Sequence, residues 1–397
     1  MEQGTGSTAS RLPRGVVALG FVSLFMDVSS EMIHAVLPLF LTATLGASAL
    51  TLGWIEGVAE ATASLTKVFA GAASDWLGRR KPFALLGYGL AALSKPLFPL
   101  ANSVATVLLA RFVDRVGKGI RGAPRDALVA DLTPEPQRGA AYGLRQALDT
   151  VGAVLGPTVA VLLLAASGGD FRLVFWTAVG PAFVAVAVLA WAVREPESGR
   201  APRPAHSPIQ RAELARLPAR YWLVVAFGGV LTLARFSEAF LVLRAQDVGL
   251  AIAQAPLALV VMNLGYAATS YPLGRRSDRG RRPVAVFGVA CLVVADVVLA
   301  AGSGRPVLAL VGALLWGVHM GATQGLLSAV VADAAPADLR GTAFGLFHLL
   351  VGVAQLAASV IAGALWSWIG PAQTFTAGAL FSAAALAGLV FVRRGSD

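Results

Sequence analysis

About twelve apolar stretches, each near 20 residues long, fill most of this chain, at roughly 16–43, 49–73, 83–101, 104–129, 139–165, 173–193, 221–243, 253–273, 283–301, 306–331, 341–365 and 371–392. A helix of about 20 apolar residues spans the hydrocarbon core of a bilayer. The pattern therefore predicts an all-α membrane protein with 12 transmembrane helices. Composition agrees: 56% of the 397 residues are hydrophobic and 14% are charged, against about 25% charged in soluble domains. Cys291 is the one cysteine, so no disulfide forms within the chain. It lies in an apolar run and reads as packing.

The net charge of +10 is explained by topology rather than by nucleic acid. With the N-terminus cytoplasmic, the cytoplasmic loops and tails carry 20 of the 32 Lys and Arg, and nine lie inside spans. The outer loops carry three: Arg172, Arg244 and Arg305. A bias of that size predicts both termini on the cytoplasmic side. The first span follows Arg11 and Arg14 like a signal peptide, but it is too long and contains Asp27 and Glu31, so it is expected to be retained.

Two passages occur twice. Gly71-Ala-Ala-Ser-Asp75-Trp-Leu-Gly78-Arg79-Arg80-Lys81-Pro82 is echoed by Gly274-Arg-Arg-Ser-Asp278-Arg279-Gly280-Arg281-Arg282-Pro283. Residues 127–147 match residues 329–349: Asp131, Pro134, Arg138-Gly139 and Gly143 correspond to Asp333, Pro336, Arg340-Gly341 and Gly345. A six-span repeat of constant orientation implies two bundles related by an axis along the membrane normal, with solute between them, as in secondary transporters. The divisions are a bundle at 1–193, a Pro- and Arg-rich cytoplasmic linker at 194–220, and a bundle at 221–397.

Over nearly its whole length the chain resembles the major facilitator superfamily. The loop at Gly71–Arg80 is similar to the family's Gly-x-x-x-Asp-Arg-x-Gly-Arg-Arg pattern, with Trp76 in place of Arg. The resemblance implies that Gly71, Asp75, Gly78, Arg79 and Arg80, with Asp278 in the echo, form a conformational latch. Arg111-Phe-Val-Asp114-Arg115-Val-Gly117-Lys118-Gly119 is similar to the family's helix 4 motif. Gly143, Gly152, Gly156 and Pro157, with Ala160 in place of a final Gly, are similar to its helix 5 antiporter signature, which implies proton-coupled export. Read physically, Gly152 and Gly156 make a small-residue face for close helix packing, and Pro157 can bend its helix.

Charges at bilayer depth are costly and mark function. Helix 4 places Arg111, Arg115, Lys118, Arg121 and Arg125 within an arc of about 120°, with Asp114 among them. Facing lipid, such a stripe would cost more than about 12 kcal/mol, so it must face protein or water. Helix 1 aligns Asp27, Glu31 and His34. Helix 2 aligns Glu56, Glu60 and Lys67, and helix 7 carries Arg235 and Glu238. A desolvated carboxylate favours its neutral form and can carry a proton. Asp27 or Glu31 is the expected coupling carboxylate, with His34, Arg111 and Asp114 beside it; the bland alternative is a permanent ion pair between helices 1 and 4. Glu56, Glu60, Arg115, Lys118, Arg145, Asp149, Arg235 and Glu238 are the expected solute-contacting set. The cations of helix 4 suggest an anionic or zwitterionic solute.

The expected function is proton-coupled efflux of a small organic solute by a monomer of the inner membrane. An importer of an anionic solute and a non-transporting sensor or assembly factor are the alternatives. No phosphate-binding Gly-x-x-x-x-Gly-Lys-Ser/Thr loop occurs, which argues against ATP as energy source. No nucleophile and base arrangement points to an enzyme, and no cofactor is implied. His and Met are too irregularly spaced to favour a metal path.

Overall fold

The computed structural model describes residues 12–77, 79–134, 137–195, 216–277, 279–335 and 340–391. These form twelve helical spans. The first six are α1 (Arg14–Leu39, continued by a π-helical turn Phe40–Thr44), α2 (Ala49–Leu77), α3 (Lys81–Ser94, tightened at Lys95–Leu97), α4 (Val104–Asp131), α5 (Arg138–Ser167) and α6 (Phe171–Ala192). The second six are α7a (Ala219–Ala234) with α7b (Ala239–Asp247), then α8 (Leu257–Ser277), α9 (Arg281–Ala301), α10 (Pro306–Ala334), α11 (Arg340–Trp368) and α12 (Pro371–Phe391). Eight spans are long and apolar enough by themselves to cross a membrane. The charged α4 is not one of them and depends on its neighbours for shielding.

Local chemistry sets several ends. Ser103 caps α4 by accepting the Thr106 N–H at 3.2 Å, and Asp170 caps α6 by accepting from Arg172 at 2.8 Å and Leu173 at 3.3 Å, satisfying donors that the first turn leaves open. At the end of α5, Gly168 has φ +68°, a conformation that costs glycine least.

Helix pairing shows the two-bundle symmetry. In the first half, α1 packs on α5 and α6, α4 on α2 and α3, and α3 on α6; in the second, α7a packs on α11 and α12, α10 on α8 and α9, and α9 on α12. Every pair recurs six helices later. The halves meet through α2 against α11, its symmetry mate α5 against α8, and α1 against α7b.

That seam is tightest at the end opposite the termini. A Cβ on Gly53 would lie 2.2 Å from the Ser359 carbonyl oxygen, and one on Gly363 would lie 2.5 Å from that of Ala49. The Leu50 N–H donates to Ser367 Oγ at 3.0 Å. Toward the terminal end the same two helices separate: among the described residues a Cβ on Gly345 would meet only Val68, at 3.6 Å.

The repeated sequence has a structural reason. Arg80, before α3, faces Asp131, at the end of α4, at 3.9 Å. Arg281, at the start of α9, pairs with Asp333 on α10. The Arg of one repeated passage and the Asp of the other are thus partners in both halves.

Two expectations change, and a third falls partly outside the described residues. Helix 7, expected as one span at 221–243, is broken at Arg235–Glu238 and runs on to Asp247. Arg244, expected in an outer loop, is instead inside α7b and buried, donating to the Leu299 carbonyl at 2.9 Å. The interhelical linker begins and ends within described residues, but 196–215 lie outside them.

Candidate functional site

Between the halves lies a cavity of about 370 Å³. The first half lines it with Glu31 and His34 from α1, Glu56, Glu60 and Ser64 from α2, Arg115 and Lys118 from α4, and Ala153 from α5. The second half supplies Arg235, Phe236, Ser237 and Glu238 from the break in helix 7, Asn263 from α8, Trp316, Met320 and Gln324 from α10, and Val351, Gly352 and Gln355 from α11. Backbone released from a helix is tolerated at membrane depth where it lines a cavity, and the break does so here.

Most charges of the α4 stripe have a close partner. Arg111 Nη2 donates to both Glu56 oxygens, at 2.9 and 2.7 Å, and lies 3.1 Å from His34 Nδ1. Lys95 Nζ reaches Asp114 at 2.8 Å and Ser30 Oγ at 3.0 Å. Arg115 donates to Glu60 at 2.9 Å and stands 3.5 Å from Asp114. Arg121 is buried with its guanidinium 4.8 Å from the Tyr88 ring centre. Arg111, Lys95, Asp114 and Glu56 are each at most 2% exposed. Burial of this kind demands such partners, because an unpaired interior charge costs several kcal/mol.

The expected coupling and binding residues therefore separate into two sets. Glu31, His34, Glu56, Glu60, Arg115, Lys118, Arg235 and Glu238 are on the cavity wall; Asp27, Arg111, Asp114, Arg145 and Asp149 are not. Arg111 was expected beside a helix 1 acid. Its carboxylate is Glu56 on α2, because the guanidinium points across the first bundle rather than along α1. Asp114 is held in the Lys95 pair. Arg145 and Asp149, one turn apart on α5, pair with each other at 2.6 Å and Arg145 lies 3.7 Å from Asp126, so both are held away from the solute space. Asp296, on α9 in the second half, is buried with neither carboxyl oxygen partnered among the described residues.

The helix 5 glycines adjoin the helix 1 acids. A Cβ at Gly152 would stand 2.9 Å from Asp27 Cβ, and one at Gly156 would stand 2.7 Å from Glu31 Cβ and 2.9 Å from the Val28 carbonyl oxygen. These two residues let α5 approach α1 where the acids project. Pro157 is buried next to Gly156. Gly143 has no such duty, since no described atom lies within 4 Å of a Cβ there.

Of the expected latch, Gly78, Asp278 and the Asp75 side chain lie outside what is described. Gly71 approaches Ala123 on α4, and its carbonyl accepts from Ser74 Oγ at 2.9 Å. Arg80 donates to that Ser74 Oγ at 3.0 Å. The Arg80 N–H also bonds the Glu195 carboxylate beyond α6. Arg79 is exposed. None of these contacts reaches the second bundle.

Sequence reasoning gave no cavity role to Ser237, Asn263, Trp316, Gln324 or Gln355. Ser237 Oγ donates to Glu56 at 3.3 Å, and Asn263 Nδ2 donates to the Ala153 carbonyl at 2.9 Å. Both bonds cross between halves, and uncharged polar residues in apolar helices carry little signal on their own.

A model described as Major Facilitator Superfamily matches residues 19–243 and 229–397. The chain belongs to the major facilitator superfamily. It is a multi-pass membrane transporter of that family and not an enzyme. An uncharacterised MFS-type transporter of Methanocaldococcus jannaschii is 33% identical over 379 residues, covering 94% of this chain and 93% of the relative. The multidrug resistance protein MdtH of Proteus mirabilis is 30% identical over 176 residues, 44% of this chain and 41% of that protein. Among solved structures, a POT family transporter in complex with a thioalcohol-conjugated peptide superposes with a TM-score of 0.81, covering 96% of both chains at 14% identity. That likeness shows the fold alone.

Two substitutions test the packing. Arg111→Met leaves Glu56 charged and buried, and is expected to cost about 3–5 kcal/mol in thermal unfolding of the purified chain, whereas Arg111→Met with Glu56→Met recovers most of the loss. A double variant no more stable than the single would contradict the pairing. By the same measurement, Gly156→Ala is expected to lose about 1–3 kcal/mol by overpacking, and Gly143→Ala to equal the parent or exceed it by up to about 1 kcal/mol through helix propensity.

Proposed function

We propose that the chain is a proton-coupled exporter of a small organic solute, working by alternating access as a monomer in the inner membrane. Both termini are cytoplasmic in this reading, as the Lys and Arg distribution requires. The seam closed at the end opposite the termini then makes the present arrangement inward-facing. Rocking of the two bundles would open that seam and close the terminal end.

Glu31 is the coupling carboxylate in this account. The observation that carries it is positional: among the first-half acids on the cavity wall, Glu56 and Glu60 are committed to Arg111 and Arg115, and Glu31 has no hydrogen-bond or ion-pair partner among the described residues. Asp27, the other candidate, is one helical turn away and off the wall. A carboxylate that is both wet and unpaired can exchange a proton with whichever side the cavity faces, and can exchange that proton for solute. Gly156 holds α5 against the same turn of α1, so movement of α5 is felt at Glu31. Export agrees with the helix 5 signature and with the relative named as a multidrug resistance protein. The Arg80–Asp131 and Arg281–Asp333 pairs at the terminal end serve as the conformational latch of each bundle.

Proteoliposomes under an imposed pH gradient test this reading. A screen of solute mixtures identifies what the parent chain moves against the proton flux. Glu31→Gln is expected to lose gradient-driven accumulation of that solute while keeping solute-for-solute exchange, and Asp27→Asn is expected to keep both. Gradient-driven accumulation by Glu31→Gln at the parent rate would eliminate Glu31 as the coupling group.

A further inference from the structure

We infer that the cavity takes a compact zwitterion, a solute carrying an ammonium and a carboxylate or similar anion on one small skeleton. The inference rests on the reading of this cavity as the transported solute's site. The observation is the charge left over once internal pairs are removed. Glu56 is committed to Arg111 and Glu60 to Arg115. Glu31, Lys118, Arg235 and Glu238 remain on the wall, partly exposed to the cavity, with no hydrogen bond or ion pair among the described residues.

Their placement is balanced in two ways. There are two acids and two bases, so the uncommitted wall has no net charge. Each half also contributes one of each sign: Glu31 and Lys118 from the first, Arg235 and Glu238 from the second. A helix 4 stripe considered alone favours an anion, but the structure removes most of that stripe from the solute's reach. A simple anion would meet two unmatched carboxylates, and a lipophilic cation would meet a guanidinium and an ammonium. A neutral solute would leave Lys118 with only the longer-range fields of Glu60 and Glu238, and Arg235 with only that of Glu238, none of them in a direct ion pair among the described residues, whenever water is expelled. A zwitterion offers a partner to both signs, and each of its ends can bridge the two halves. Charge-assisted hydrogen bonds of this kind are the strong ones, and a guanidinium grips a carboxylate in two-pronged fashion. The volume of about 370 Å³ lies near the lower end of the range for drug-sized ligands, roughly 300–1,000 Å³, which limits the solute to a small skeleton.

The test is binding to the purified full chain in nanodiscs at fixed pH, read as thermal stabilisation. The probes are free amino acids of two to six carbons and short dipeptides, each with its N-acetyl derivative and its methyl ester, alongside ethidium, tetraphenylphosphonium and small dicarboxylates. At least one free zwitterion is expected to stabilise the chain, and blocking either end is expected to weaken its binding about tenfold or more. Glu238→Gln should narrow the gap between that zwitterion and its N-acetyl derivative, and Lys118→Gln should narrow the gap to its ester. Equal binding of parent and blocked probes overturns the inference. So does stabilisation by none of the zwitterions, whatever the cations and dicarboxylates do. Variants that change stability but leave the probe preference untouched also overturn it, since they would mean that the four charges serve only to pair with each other. No pH gradient enters this assay. Zwitterion binding without proton-driven movement would remove the antiport reading and leave this one standing, and the converse would remove this one alone.

Discussion

The cost of a charge at bilayer depth governs this structure. Helix α4 carries more cations than lipid could tolerate, and the first bundle is arranged around neutralising them. Glu56 and Glu60 on α2 match Arg111 and Arg115, Arg121 rests on an aromatic face, and Lys95 at the end of α3 matches Asp114, the acid within α4. Each ion is worth several kcal/mol of desolvation, repaid only where the geometry and the remaining hydrogen bonds are good. Such pairs fix which face of each helix turns inward. They also leave Glu31, Lys118, Arg235 and Glu238 conspicuous at the cavity wall, because none of these has a hydrogen bond or ion pair among the described residues.

Closure between the halves depends on a different economy. Helices in lipid gain little from apolar burial against one another, so they associate by close approach of small residues. Gly53 and Gly363 bring α2 and α11 into backbone contact at one end, and the same helices diverge toward the other. Within the first bundle, Gly152 and Gly156 do the corresponding work between α5 and α1, next to the two acids of α1. The antiporter-type pattern thereby acquires a physical content: it is the surface on which the acid-bearing helix rests.

Much of this was legible in the sequence. Spans, two-fold repetition and bundle order follow from apolar length and from the passages shared by residues 71–82 and 274–283, and by 127–147 and 329–349. The need for α4 to turn away from lipid followed from its charge. Partner choice was not legible. Arg111 could be matched with an acid of α1 or of α2 on spacing alone, and only the crossing of α2 over α4 selects Glu56. The break in helix 7 left no mark, since Ala-Arg235-Phe236-Ser237-Glu238-Ala contains neither Gly nor Pro; it arises where tertiary surroundings replace the helical hydrogen bonds. Arg145 and Asp149 looked like site residues because they are charged and intramembrane, yet their one-turn spacing already allowed the local pair that the structure contains.

The account requires a water-filled space between the bundles, reached from the end that carries the termini. Cysteine accessibility measures this most directly. With Cys291→Ser as background, Ala153→Cys and Gln355→Cys from the cavity wall and Leu162→Cys from the outer surface of α5 would be treated with a charged, membrane-impermeant thiol reagent applied from each side. Reaction at 153 and 355 from the terminal side, with position 162 protected by lipid, is the predicted result. Positions 153 and 355 unreactive from both sides under every condition would contradict it.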